Sequence, residues 1–496
     1  MTRALPSALL ARWFWPLAAV FLVLLASAQT QVVDPDLFWH LAHGDYLREH
    51  GLHRLDPFAC SGLEQVAYYW LFDYLVSVSF GWAGWLGVLG LGNLVLVLLT
   101  VLLYRYLRQF GHPSSLVFAV TLLAMLAMPG AALRPYHLTF AACLLVLSIL
   151  QRRLPWPWEA CALFSLTLFW ANVHIYYFLA LPLVVWHSLE RWWGKVGSGT
   201  SSPSLFCTLL SSSGAVFLAT LCTPFGLDLY TTLWDMVLAG TTGFVGRNVI
   251  ESKPFDVTQG YAPAVLILAG LLGTLAYRRR HLPSPPLLFL IAGLSAAAVL
   301  HQREVPFLGF IAAPLLLRSL PPEELSPRRL LSPSFGTAVL SILFLATLGR
   351  ISAELLLEAR LPPQLYPVEE AAYVEARELP GPLLNHWNHG GYLIHRLYPR
   401  YKVFIDGRIN AQSEEVLADY LVLNNANPGW EAVLERRRPG LILWPTPSPL
   451  ISRLDKSPRW KRVFTGEAAV VFVPVETSEP LFGPPAPAIS TTAQNI

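Results

Sequence analysis

Charge is what this 496-residue chain has least of: 14% of its residues are Asp, Glu, Lys or Arg, against about 25% in an ordinary soluble protein. With 54% hydrophobic residues, that scarcity excludes a water-soluble globule of this size and points to lipid. A net charge of +3 gives no basis for a nucleic-acid partner. The five cysteines are scattered, four of them in apolar runs, which excludes a disulfide framework and any CxxC metal site. No long internal repeat is visible.

What is present instead is a series of uncharged stretches: 74–104, 109–133, 196–227, 257–277 and 281–302. Each is long enough to cross a bilayer as a helix, which takes roughly 20 residues. A first apolar segment, 13–31, follows Arg3 and Arg12, which hold the N-terminus in the cytoplasm. Ala26-Ser27-Ala28 offers cleavage by signal peptidase as the alternative fate of that segment.

Parity orders the rest. Crossings at 84–104, 115–132, 136–151, 157–173, 175–190, 204–222, 261–277, 285–301, 305–318 and 333–349 place Arg105, Arg108, Arg152, Arg153, Arg191, Lys195, Arg278, Arg279, Arg280, Arg318, Arg328 and Arg329 inside. This obeys the positive-inside rule and predicts about eleven helices, with the C-terminal region outside. The stretch 160–189 must then hold two short crossings that turn near Asn172, one long tilted helix being the alternative. A first outer loop, 32–82, carries two aromatic-rich pieces, 37–50 and 68–80, read as interfacial helices. Reading the second as a crossing would reverse every later loop.

After Arg350 charges return and the pattern becomes that of a soluble α/β domain. The segments 402–406, 441–444 and 468–473 read as strands, 413–423 and 430–437 as helices. Residues 478–496, rich in Pro, Ser and Thr, read as a disordered tail. The predicted division is 1–350, 351–477 and 478–496.

The same parity collects the chemistry on the outer face. Asp34-Pro35-Asp36-Leu37-Phe38-Trp39-His40 comes first, at the point where the first helix reaches water. Arg134, His137, Asn172, His174, Glu251, His301 and Arg303 follow at the outer ends of later segments. Ionisable groups beside hydrocarbon are costly and by default mark a substrate site. A carboxylate there can act as general base on an acceptor hydroxyl, and a phosphate leaving group needs positive charge, for which arginine is suited. The competing readings are structural: an aspartate capping the helix that follows, arginines reaching to the interface, Asn172 and His174 satisfying backbone at a turn. His386-Trp387-Asn388-His389 suggests a metal pair without a third ligand at a fitting spacing, and Asp406-Gly407-Arg408 reads as a strand end and turn.

The Asp-x-Asp after the first helix, the long first outer loop and the helix count together resemble the GT-C superfamily of polyprenyl-phosphate-sugar glycosyltransferases, which includes protein O-mannosyltransferases and the lipid A aminoarabinose transferase. More narrowly, DPDLFWHLAHG (34–44), RPYH (134–137), WANVH (170–174), PFG (224–226), GGYL (390–393) and VFIDGR (403–408) are similar to a group of bacterial membrane proteins placed in that superfamily. The resemblance implies a mainly α polytopic protein of the inner membrane with an extracytoplasmic α/β domain. It also implies a polyprenyl-phosphate-linked sugar donor, a glycan, lipid or protein acceptor, and catalysis by Asp36 or Asp34, with His40, Arg134, His137, Asn172, His174, Glu251, His301 and Arg303 around the substrate. The acidic pair is split by Pro35, unlike the adjacent pair of the mannosyltransferases, and the WWDYG motif of oligosaccharyltransferases has no counterpart. No cofactor is called for, a divalent metal ion being the alternative. A transporter or flippase of lipid-linked saccharide, or a membrane scaffold for the C-terminal domain, are the rival functions. The first predicts broken helices with sites at midplane, and the second leaves the one-sided ionisable cluster without a use.

Overall fold

A computed structural model describes residues 7–27, 34–128, 133–152, 154–196, 203–242, 252–322, 340–347, 361–408 and 411–475. The chain is mainly helical and forms two compact units. A helical unit comprises Met1–Val32, His43–Leu52 and Val66–Arg360; a mixed unit comprises Val33–Ala42, His53–Gln65 and Leu361–Ile496.

In the helical unit the expected segments appear as helices Ser7–Ser27, Ser114–Leu126, Pro135–Gln151, Trp156–Ala171, Ala180–Val196, Pro203–Leu221, Ala262–Arg278 and Pro285–Leu300. The stretch 160–189 does hold two helices, parted by a turn at Asn172 to His174 and a short 3-10 segment, Ile175–Leu179. Trp70–Arg108 is, among the described residues, the one helix long and apolar enough to cross a membrane by length and composition alone. It divides at Ala83 and Gly84, where φ reaches +58°, a conformation glycine adopts at little cost. That break separates the aromatic piece from the apolar run that begins at 84. Residues 228–242, outside every expected crossing, form a helix. The segment expected to cross at 305–318 is helical from 306 to 319, with a π-helical turn at Leu308–Ala312 leading into Ala313–Ser319.

Several polar groups in this unit are matched to one another, as burial favours. Ser77 donates to Asp45 at 2.6 Å and Arg48 donates to Ser77 at 3.2 Å, while His43 pairs with Asp73, both buried. These contacts bind residues 43–50 to the start of Trp70–Arg108 so closely that a Cβ on Gly44 would lie 2.2 Å from the Asp73 carbonyl oxygen. Ser212 donates to Glu159 at 2.7 Å and Ser284 donates to Glu190, each pinning two helices. Thr100, Thr121 and Ser148 turn their hydroxyls back to carbonyls one turn earlier, so apolar helices carry them without unpaired donors.

The mixed unit is built on a four-stranded sheet of β1 (Leu383–Asn385), β2 (Leu441–Pro445), β3 (Trp460–Thr465) and β4 (Ala469–Pro474), ordered β1-β2-β4-β3. β1 runs parallel to β2, and the other pairings are antiparallel. Continuous apolar runs in β2 and β4 match strands buried on both faces, and Leu441 to Trp444 are fully buried. The helices predicted at 413–423 and 430–437 are present as Glu414–Asn424, with Ser413 Oγ accepting the Val416 N–H at 3.2 Å, and Trp430–Arg437.

The strand predicted at 402–406 is not one. The Asn385 side chain accepts from Phe404 N at 2.8 Å and donates to Ile405 O at 2.7 Å, while Val403 exchanges its backbone bonds with Phe58 and Cys60 at 2.9 Å each. The apolar run therefore spends its hydrogen bonds on a side chain and on residues 58–60, leaving no ladder to extend the sheet.

Beside it lies a buried ionic group. Arg408 grips Asp56 with two bonds of 2.8 and 3.1 Å and Asp406 with bonds of 2.9 and 2.8 Å, all three side chains being almost wholly buried. Asp56 also accepts from Ala59 N at 3.0 Å, and Gln412 donates to Asp406 at 3.3 Å. His386 caps the helix Trp387–Leu397, its Nδ1 accepting the Asn388 N–H at 3.2 Å, and its Nε2 lies 2.9 Å from the Tyr420 hydroxyl. Burial lowers His386 to about 4 and His389 to about 3. Among the described residues no group of three or more His, Cys, Asp or Glu gathers as a metal site would.

Two stability measurements follow. Arg408→Met leaves two buried carboxylates together and is expected to cost about 3–5 kcal/mol, seen in the full-length protein as lost hydrogen-exchange protection over 361–475; unchanged protection would show the triad to be dispensable. Because His386 and His389 titrate lower when folded, their contribution is whole above pH 6.5 and declines as the solution is acidified. Between pH 6.5 and 5 the mixed unit should lose about 2 kcal/mol for each histidine, and His386→Gln should flatten that slope.

Candidate functional site

The acidic segment belongs to the mixed unit, and its two carboxylates do different work. Asp34 is buried, and its Oδ1 accepts the Asp36 N–H at 3.1 Å, holding the first residue of the helix Asp36–His50. Asp36 is half-buried, and its Oδ1 accepts from Trp39 Nε1, one turn on, at 3.1 Å. The cap thus falls to Asp34, and Asp36 is the more accessible acid. His40 is buried with its ring against Trp39, centroids 3.6 Å apart.

Sequence reasoning left the glycines of the two later motifs without a use, and the structure supplies one. A Cβ on Gly407 would lie 2.5 Å from Asp36 Oδ1, and one on Gly391 would lie 2.5 Å from the Pro35 carbonyl oxygen. Gly391 and Gly407 therefore form a close-fitting seat for Pro35 and Asp36, which any side chain would occupy, while Gly390 lies as closely against Ile405 and Asp406. Tyr366 and Tyr392 complete it, packing around the buried Phe38 with ring centroids 4.8 and 5.2 Å away. The Tyr366 hydroxyl is pushed upward in pKa by burial and then by the negative charges of Asp34 and Asp36. Tyr366 carried no sequence signal, whereas Gly391-Tyr392 and Gly407 were visible as motifs.

In the helical unit the remaining candidates separate into two groups. Arg134, half-buried, precedes the helix Pro135–Gln151, and His137 folds back on it, Nδ1 lying 3.3 Å from its backbone nitrogen and 3.2 Å from its carbonyl oxygen. Thr139, a half-turn later, sits with its Oγ1 2.8 Å from His174 Nδ1 and accepts from Trp170 Nε1 at 2.9 Å. His174 stacks on Tyr176 at 5.1 Å, and Tyr176 donates its hydroxyl to Glu304. Glu304 Oε1 in turn lies 3.3 Å from Arg303 Nε. Packing around the His174 ring, and then the charge of Arg303, hold this imidazole neutral, at about 3. His174 and Arg303, distant in sequence, are thus brought into one electrostatic neighbourhood.

Asn172 and His301 are occupied with structure. Asn172 accepts from Trp70 Nε1 at 2.7 Å, donates to Leu168 O at 2.7 Å, and accepts Leu71 N at its carbonyl at 3.1 Å, so it ties the start of Trp70–Arg108 to the end of Trp156–Ala171. His301 Nδ1 lies 2.8 Å from Ser252 O, and the next residue, Gln302, accepts from Tyr261 at 2.8 Å. Glu251 lies outside the described residues. Chemically, the arrangement offers an accessible carboxylate on a rigid backbone seat, and a guanidinium beside a neutral imidazole, a pairing suited to an anion.

No protein-family model and no curated protein matches the sequence. Solved structures do. The archaeal oligosaccharyltransferase AglB from Archaeoglobus fulgidus, in complex with an inhibitory peptide and a dolichol-phosphate, is similar with a TM-score of 0.51 at 12% identity, over 88% of this chain and 70% of that one. The apo form of the A. fulgidus oligosaccharyltransferase has a TM-score of 0.49 at 12% identity over 87% and 69%. ArnT from Cupriavidus metallidurans, bound to undecaprenyl phosphate, has a TM-score of 0.46 at 14% identity over 95% and 98%. The chain shares the fold of AglB.

Proposed function

We propose that this chain is a polytopic glycosyltransferase of the inner membrane, moving a sugar from a polyprenyl-phosphate donor to an acceptor on the extracytoplasmic face. One observation carries the reading: a chain with the fold of AglB, a protein whose structure holds a dolichol-phosphate, presents a half-buried carboxylate at Asp36 on a seat made by Gly407 and Trp39. In this reading the helices cross the membrane about eleven times, with the N-terminus inside, the basic loops inside and the α/β region outside.

Asp36 takes the proton of the acceptor hydroxyl as that oxygen attacks the anomeric carbon. The bond from this carbon to the phosphate oxygen breaks, and the lipid phosphate departs as an anion, so no general acid is needed. Arg134 and Arg303 are the proposed counter-charges, holding the lipid phosphate from the bound donor through to its departure as an anion. His137 and His174 support them, His174 as a neutral hydrogen-bonding group. The α/β region is proposed to help recognise the acceptor, a glycan, lipid or protein.

The test uses the purified protein in lipid nanodiscs with a polyprenyl-phosphate sugar. Asp36→Asn should cut turnover about 10²–10⁴-fold, the range of a lost general base, with hydrogen exchange unchanged; wild-type turnover would remove Asp36 from the mechanism. Asp34→Asn keeps an oxygen for the Asp36 N–H and should lose far less. Gly407→Ala forces the Asp36 carboxylate aside and should cost about 100-fold, as misplacement of a reacting group by an ångström does, and a harmless Gly407→Ala would mean the seat does not position the base.

A further inference from the structure

Arg303 is attached to a layer of side chains of which the reaction as proposed uses only His174. Its Nε faces Glu304 Oε1 at 3.3 Å, and the same oxygen receives the hydroxyl of Tyr176. The tyrosine ring has little freedom of its own. It stacks on His174 at 5.1 Å, on Phe178 at 5.5 Å and on Phe307 at 5.4 Å, with interplanar angles of 15°, 29° and 27°. His174 is in turn held by Thr139, and Phe307 packs edge-on against Phe140 at 5.2 Å. Phe140 is fully buried and stacks on Phe310 at 4.5 Å. A rigid aromatic layer thus ends in one hydroxyl, the hydroxyl fixes one carboxylate, and the carboxylate faces the Nε side of the guanidinium as an ion pair.

Arginine recognises phosphate by a planar fork whose orientation decides whether two bonds or one can form. A flexible side chain pays for that orientation on each binding event, and an ion pair made beforehand removes the cost. Glu304 is adjacent to Arg303 in sequence, but a surface pair of that kind is weak when both partners rotate freely. The Tyr176 hydroxyl supplies the missing restraint.

We propose that Tyr176 and Glu304 are positioning residues for Arg303, presenting its guanidinium in a fixed plane to the phosphate of a lipid-linked ligand. This rests on the reading of Arg303 as a phosphate contact. Tyr176 and Glu304 touch no reacting atom; they act through the arginine. The arrangement suits the phosphate of a polyprenyl lipid, a diester in the sugar donor and a monoester in the released product.

The experiment is a double-mutant cycle on the full chain in nanodiscs, read by binding of undecaprenyl phosphate and by KM for the polyprenyl-phosphate sugar. Tyr176→Phe keeps the ring and its stacking and removes only the hydroxyl; it and Glu304→Gln are each expected to weaken binding about tenfold, about 1.4 kcal/mol, and to act on KM more than on kcat. In an Arg303→Ala background, Tyr176→Phe should have no further effect. Full additivity there would overturn the inference, since damage to the layer itself does not depend on the arginine. Wild-type binding by Tyr176→Phe would overturn it as well. If Arg303→Ala alone binds the lipid phosphate like the wild type, Arg303 is not a phosphate contact and the inference falls with that assignment. Should the wild-type protein neither bind undecaprenyl phosphate nor transfer sugar, the transferase reading falls first and takes the inference with it.

Discussion

The position of one carboxylate depends on the absence of one side chain. Asp36 lies against the bare backbone of Gly407, and with Gly391 beneath Pro35 this contact makes the acidic segment part of the mixed unit instead of a free loop. A carboxylate at the start of a helix is favoured by the helix dipole and would ordinarily be spent on capping. Here that task is taken by Asp34. The Asp36 side chain instead accepts from Trp39 Nε1, one turn on, while its backbone stays fixed, which suits the role proposed for it.

The helical unit solves a similar problem with aromatic rings. Four of its ionisable groups are each tied to a tyrosine, a serine or a threonine. Tyr176 joins Glu304, Ser212 joins Glu159, Ser284 joins Glu190 and Thr139 joins His174. Hydroxyl groups suit this use because they donate to a carboxylate and need only a small site. The polar interior of the unit is therefore a set of local pairs, with the Arg303 neighbourhood as its most elaborate member.

How far these features could be read from the sequence depends on whether their cause was local. Helices Glu414–Asn424 and Trp430–Arg437 announced themselves by Ser413 and by charge spacing, and the break at Gly84 fell where the apolar run began. Strands β2 and β4 were legible as short apolar runs, but β1 has only three residues, too few to show a period. The run at 402–406 looked like a strand because nothing near it reveals that Asn385 takes its hydrogen bonds. Helix Asp228–Thr242 was missed since Asp228, Asp235 and four threonines dilute any apolar stripe. Among the candidate residues, Asp34, Asp36, Arg303 and His174 were singled out by residue type and placement. Tyr176, Glu304, Tyr366 and the role of Gly407 were not, because each acts on a neighbour that folding alone brings near.

The buried clasp of Arg408 on Asp56 spans 352 positions of the chain. At ribosomal speeds of about 5–20 residues per second, the two ends of that clasp are made roughly 20–70 s apart. Throughout that interval Asp56 waits without the arginine that clasps it, and the carboxylate at position 36 lacks the glycine that seats it. The catalytic geometry proposed here is thus a product of late translation: a nascent chain that stalls anywhere before residue 408 carries the acidic motif but not the means to aim it.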